Sequence, residues 1–338
     1  GDKMAEQVRC DLALEAKELY SETAEKADEV GGISVDEYSI ENIIKVTRVK
    51  ILNEEGEENL GKPKGDYITI EMPSRFYGEQ KIYEKMCQVC AEELKSLTDK
   101  FITKDDDVIL VVGLGNQNIT ADALGPKVIS SLMITRHLKE YVPDEIQNGV
   151  RSICGIVPGV LGLTGIETGE IIRGLVDRIK PKLVIAIDAL CSRKMERVNT
   201  TIQISDTGIT PGEGVGNKRK GLNIDTLGTP VIAIGVPTVV DAATIAGDTL
   251  DMLVNAASQG KAGVLKDLPT RQTLKLIGEM ADEKYELIKE VIKPKFGSFI
   301  VAPKDVDTII DDISSVVANG INIAVNDGIT LKDVDRYR

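Results

Sequence analysis

From residue 107 onward the chain alternates between short, wholly apolar runs and longer amphipathic ones. DVILVVG (107–113), RSICGIV (151–157), KLVIAID (182–188) and VIAIGV (231–236) are rich in Val and Ile and too short for helices. Such runs suit strands buried on both faces of a parallel sheet. Between and after them, PKVISSLMITRHLKEY, TGEIIRGLVDRIK and PTVVDAATIAGDTLDMLVNAA carry helical periodicity, and GSFIVAP with KDVDTIIDDISSVVANG closes the pattern. The alternation predicts an α/β layered fold, a mostly parallel central sheet flanked by helices with right-handed crossovers.

The preceding residues follow a different rhythm. LALEAKELYSETAEKADEV (12–30) predicts a helix that stops at Gly31-Gly32. IIKVTRVKIL (43–52) and DYITIEM (66–72) alternate like strands and predict an additional small sheet region, paired as a hairpin or sheet edge. NEEGEENLGKPKG between them reads as a solvated turn, and KIYEKMCQVCAEELKSL as an amphipathic helix. Residues 191–229 interrupt the core with the strand-like RVNTTIQIS and the Gly-rich TGITPGEGVGNKRKG. With no internal repeat or low-complexity linker, the expected organisation is one α/β domain over 12–338. Within it, 12–100 is an N-terminal elaboration, 107–325 the core and 191–229 an insertion, and residues 1–11 precede it as a short polar tail.

Composition narrows the function. The 338 residues carry 41 Lys+Arg against 54 Asp+Glu, a net charge of −13, which argues against direct nucleic-acid binding. Aromatics are 4% with no Trp, too few for a stacking platform. The one histidine, His137, excludes zinc sites built from several histidines. Five cysteines, an odd number, read as reduced thiols, with Cys87 and Cys90 as helix positions rather than a metal knuckle. No apolar run nears the roughly 18 residues of a membrane span, and the first residues lack a signal-peptide core, so the expected compartment is cytoplasmic.

The Gly-rich GLGNQN after VILVV invites a dinucleotide reading, but Asn118 stands where the third glycine belongs, and an extended loop runs on to Pro126. That loop carries Asp122. Asp188 ends the apolar run KLVIAID. Ligands of open parallel sheets sit beyond the strands' carboxyl ends, where two such side chains can meet. Carboxylates about 4 Å apart repel by roughly 4 kcal/mol at an effective dielectric near 20. At about 1.4 kcal/mol per pKa unit, one ionises while the other keeps its proton, the acid and base of a hydrolase. His137 lies on the helix expected to begin near Pro126, roughly 16 Å along its axis and away from the crevice, which disfavours a metal centre. Lys218 and Arg219, in the basic Gly-rich loop, are candidates for reading an acidic substrate side chain.

GLGNQNITADALGP, ITRHL, GLTGIET, IDAL, ERVNTTIQISDTGI, GVGNKR and VIAIGVPTVVDA together resemble the germination proteases of spore-forming bacteria, over residues 8–325. The resemblance implies an aspartate-type endopeptidase that degrades small acid-soluble spore proteins in the germinating spore's core, a homotetramer without cofactor. The family's catalytic pair falls on Asp122 and Asp188; Ala121 stands where the family pattern usually has Pro. The family is made as a zymogen and cuts at a bond of the type Glu–Ile, followed by Ala, a variable residue and Glu. Asp11-Leu12-Ala13-Leu14-Glu15 repeats that spacing within Val8-Arg9-Cys10-Asp11-Leu12-Ala13, which places the activating cut at Asp11–Leu12 and makes residues 1–11 a propeptide. The strand–loop–acid arrangement is also similar to metal-dependent hydrogenase maturation endopeptidases, but those use a metal-binding His that has no well-placed counterpart here. A non-enzymatic peptide-binding scaffold is the third reading.

Overall fold

The computed structural model describes residues 12–23, 31–73, 79–138, 149–211, 220–258, 287–292, 297 and 299–334. Among these, nine strands form a single sheet: β1 (Ile33–Ile40), β2 (Ile44–Ile51), β3 (Gly65–Glu71), β4 (Val108–Gly113), β5 (Ser152–Ile156), β6 (Leu183–Ser192), β7 (Thr201–Ser205), β8 (Val231–Asp241) and β9 (Ile300–Val301). Their order is β1-β2-β3-β7-β8-β6-β4-β5, with β9 pairing on β8. The apolar runs β5, β4, β6 and β8 pair in parallel, the arrangement their continuous apolar sequences predict. The expected small N-terminal sheet region exists, but it is fused to the core sheet rather than set apart. β7, from the inserted segment, runs antiparallel to both β3 and β8 and so stitches the two halves together.

The helices are α1 (Ala13–Thr23), α2 (Glu54–Leu60), α3 (Gln80–Thr98), α4 (Leu124–Ser130), α5 (Thr168–Ile179), α6 (Ala242–Ser258) and α7 (Val306–Val325), with shorter helical turns between. One face of the sheet packs on α3, α4 and α7: Met86, Leu94, Leu124, Val128, Ile313 and Val317 meet Ile68, Ile109, Ile185 and Ile204. α7 is long and apolar enough to cross a membrane, yet 72% of its apolar window is buried here as the central helix of this layer. Gly320 on α7 lets the backbone approach α3, since a Cβ there would lie 2.6 Å from Cys90 Sγ.

The opposite face is covered at its two ends. α5 seals Leu110, Val112, Val184 and Ala186 with Ile172 and Val176. At the other end Ala13 of α1 and Leu60 of α2 pack on Val49, Ile51 and Tyr67. Between them, over β7, β8 and the end of β6, the layer is open.

Several elements differ from the sequence expectation. The acidic stretch read as a solvated turn folds into α2, because Asn53 caps it by accepting from Gly56 N at 3.1 Å and Gly61 ends it in the left-handed region. The helix expected to carry His137 stops at Ser130. Past it, Met133 N donates to Asn322 Oδ1 at 3.0 Å, and Thr135 N and Arg136 N both reach Ile153 O, so the backbone leaves the helical ladder. In PTVVDAATIAG the first five residues extend β8 before α6 begins at Ala242.

Candidate active site

A cavity of about 620 Å³ occupies the open stretch. Its lining includes Asp122, Asp188, Lys62, Gln203, Gly235 and Thr238. Both sequence-derived carboxylates therefore open into one space. Asp188 sits on β6 with Val184 and Ala186, facing the α5 layer, and is 6% exposed. Its Oδ1 accepts from Ala189 N at 3.0 Å. Asp122 closes a single 3-10 turn, Thr120–Asp122, in the loop between β4 and α4. Its Oδ2 accepts from Asn116 N at 2.8 Å, which ties the carboxylate to its own loop.

The loop holding Asp122 is fixed by three features. Leu114 N donates to Ile187 O at 2.8 Å, which ties the exit of β4 to the residue before Asp188. Gly115 has φ +107, and a Cβ there would fall 2.0 Å from the carbonyl of Asp122, so this position requires glycine. Thr238 Oγ1 donates to Ala121 O at 2.6 Å. Ala121, where a proline was expected from the family pattern, is thus held by a strand hydroxyl.

Register extends the site along the sheet. Thr47 pairs with Thr69, Thr69 with Gln203, Gln203 with Gly235, and Gly235 with Asp188. This row of polar or side-chain-free positions crosses five strands on the groove face. The sequence reading missed Gln203 and Thr238. Their signal was polar residues within strand-like runs, Gln203 in TIQIS and Thr238 in GVPTVV.

The N-terminal segment reaches the groove. Leu12 and Ala13 are fully buried, and Ala13 N donates to Gln203 Oε1 at 2.6 Å. Two residues further, Glu15 Oε1 accepts from Ser192 Oγ at 2.9 Å and from Arg193 N at 3.1 Å. Arg197, buried in the following turn, lies 3.6 Å from Glu15 and hydrogen-bonds Glu18, which Lys194 also contacts at 2.7 Å. Burial pushes the Glu15 carboxyl above its ordinary value despite Arg197. Burial also acts on Glu18, but there the hydrogen bonds from Arg197 and Lys194 prevail and hold it low.

The other candidates stand elsewhere. His137 is exposed in a turn and does not line the cavity, so the picture of a helix-borne histidine is corrected. No group of three or more His, Cys, Asp or Glu converges as metal ligands among the described residues. Lys218, Arg219 and Asp11 lie outside the described residues. Cys87 and Cys90 are buried on α3, their thiols pushed by burial up to about 12.

The class of protein follows from comparison with known proteins. The germination protease family model matches residues 13–272 and 264–338. The germination protease of Clostridium acetobutylicum is 50% identical over 330 residues, covering 98% of each chain. That of Clostridium tetani is 51% identical over 330 residues, covering 98% of this chain and 99% of the other. That of Bacillus licheniformis is 45% identical over 356 residues, covering 98% and 96%. Among solved structures, a [NiFe] hydrogenase maturation protease from Thermococcus kodakarensis aligns at 25% identity with a TM-score of 0.26, over 42% of this chain and 80% of that one, too slight to argue from. The chain belongs to the germination protease family and is a peptidase.

Proposed function

We propose that this peptidase is of the aspartate type, with Asp122 and Asp188 as its acid and base, and that it cleaves small acid-soluble spore proteins after an acidic residue and before an aliphatic one. One observation supports this most: Asp188, within β6, and Asp122, in the loop after the neighbouring parallel strand β4, line a single cavity. In such a pair one carboxylate takes a proton from water, which attacks the scissile carbonyl. The partner, still protonated, donates to the carbonyl oxygen or to the leaving amine. The reading needs no cofactor. It includes a homotetramer in the spore core, synthesis as a zymogen, and activation by cleavage of Asp11–Leu12, with Lys218 and Arg219 assisting recognition of the acidic residue.

The test is mass spectrometry of fragments from a small acid-soluble spore protein incubated with the wild type, Asp122→Asn and Asp188→Asn. Cleavage at acidic–aliphatic bonds by the wild type alone is the expected result. Full activity in either variant refutes the dyad. N-terminal sequencing of the activated chain tests the cut: it is expected to begin at Leu12, and any other start overturns that assignment.

A further inference from the structure

The segment that follows the proposed cut is seated in the groove, and its contacts specify what a substrate must offer. Gln203 and Asp188 both pair with Gly235, one from each side. Two strand spacings put them roughly 10 Å apart. Gln203 holds the backbone N–H of Ala13, the second residue after Leu12's upstream bond. From Asp188, β6 runs on through Ala189, Leu190 and Cys191, all lining the cavity, to Ser192. There Ser192 Oγ, Arg193 N and the Arg197 guanidinium converge on one carboxylate, that of Glu15, the fourth residue after the cut.

Two features set this corner apart from ordinary helix docking. Arg197 is 5% exposed, yet its Nε and Nη1 make no hydrogen bond, standing 3.8 Å from Glu71 and 3.6 Å from Glu15. In the polar row beyond Gln203, the Thr47 and Thr69 hydroxyls are buried without a hydrogen-bond partner among the described residues. Donors and acceptors are thus in place on this face that α1 does not fully use. A ligand of different shape could use them.

We infer that Gln203 and the Ser192–Arg193–Arg197 corner are substrate subsites on the leaving-amine side of the groove. Gln203 accepts the backbone N–H of the second residue beyond the scissile bond, and the corner receives an acidic side chain at the fourth. In the intact chain the first turn of α1 stands in the substrate's place. The inference rests on the proposed cut at Asp11–Leu12 and names the residues that read the sequence downstream of it.

The experiment compares two peptides, alike except for Glu or Gln at the fourth position after the scissile bond, cleaved by the processed enzyme. Below neutral pH the three donors of this corner are expected to give a KM about tenfold lower for the Glu peptide, a preference that narrows as pH rises because burial here raises the carboxyl above its ordinary value. Arg197→Met and Ser192→Ala are expected to collapse that preference toward one. Gln203→Leu is expected to raise KM for both peptides while keeping the preference. In Glu15→Gln the chain's own segment competes less well, so KM for the Glu peptide falls below the wild-type value, which a purely structural Glu15 would not produce. Should Arg197→Met fail to fold, Ser192→Ala and Glu15→Gln carry the test. No preference in the wild type, or a preference that survives both Arg197→Met and Ser192→Ala, overturns the subsites while leaving the dyad intact. Cleavage that persists in Asp188→Asn overturns the dyad instead, and cleavage of neither peptide overturns both.

Discussion

The hydroxyl of Thr238 donates to the carbonyl of Ala121 across 2.6 Å, so β8 grips the loop that carries Asp122 while also pairing with the strand that carries Asp188. One strand thereby sets the position of both acids.

Replacing that hydroxyl by a methyl group of equal size isolates its role. Thr238→Val leaves the Ala121 carbonyl without its donor, at a cost of about 1 kcal/mol in stability. Activity is expected to fall further than stability, by about tenfold or more, because small displacements of catalytic groups are costly. Denaturant melts and kcat/KM for one peptide substrate check the two effects separately.

Gly115 makes a harsher demand. An alanine there meets both a positive φ and the Asp122 carbonyl, so the loop must rearrange. Gly115→Ala is expected to abolish proteolysis while leaving the far-UV circular dichroism native, since the sheet does not depend on this loop. A Gly115→Ala chain with wild-type kcat/KM would show that the loop geometry is irrelevant to activity.

Glu15 and Glu18 titrate with opposite consequences. The Glu15 carboxyl is raised above 4.5, so its stabilising contribution is complete at pH below that value and is lost as pH climbs through the folded-state pKa. Glu18 is lowered from 4.5, so its contribution is present above that value and is lost as pH falls through its folded-state pKa. Relative to the wild type, Glu15→Gln should therefore gain in Tm as pH rises from about 4 to 7, and Glu18→Gln should lose. Calorimetric scans across that range decide it, and parallel slopes for the two variants would contradict the assignment.

Thiol chemistry offers an independent check of the packing. Cys87 and Cys90, buried and with thiols near 12, are expected to resist iodoacetamide at pH 8, whereas the partly exposed Cys191 in the groove is alkylated. Peptide mapping of the native chain reads this directly. Alkylation of Cys87 or Cys90 in a folded sample would mean that α3 is far less closed than described.

The parts of this architecture that were legible in sequence are those where burial is extreme. β4, β6 and β8 announced themselves because each carries an unbroken run of buried apolar residues, leaving no polar position to blur it. Asp188 was visible for the same reason, as the first charge after the apolar run, although the strand itself continues to Ser192. β1 escaped because it is exposed along most of its length. α2 escaped because only Gly56 and Leu60 are buried, so its caps rather than its face define it. His137 was misplaced because the backbone past Ser130 finds partners in Asn322 and Ile153, contacts between distant parts of the chain that periodicity cannot register. Gln203 and Thr238 looked like ordinary strand polars, and only the cross-strand register gives them a common purpose.

The pairing of β3 with β7 has a consequence for synthesis. On the ribosome, β2 and β3 emerge early, yet the edge of β3 finds its partner only after Thr201–Ser205 has been made. Throughout that interval the nascent chain carries an unpaired, half-apolar strand edge, the kind of surface that associates with other chains. Formation of this non-local seam also delays completion of the fold, since distant strands must meet before their contacts contribute. Gln203 and Asp188 lie on one side of the seam and meet in one row only through Gly235 of β8, so a chain that ends before Val231–Asp241 has been made does not hold them together. The row that carries Asp188 therefore closes only with one of the last strands to be made, long after β2 and β3 have left the ribosome.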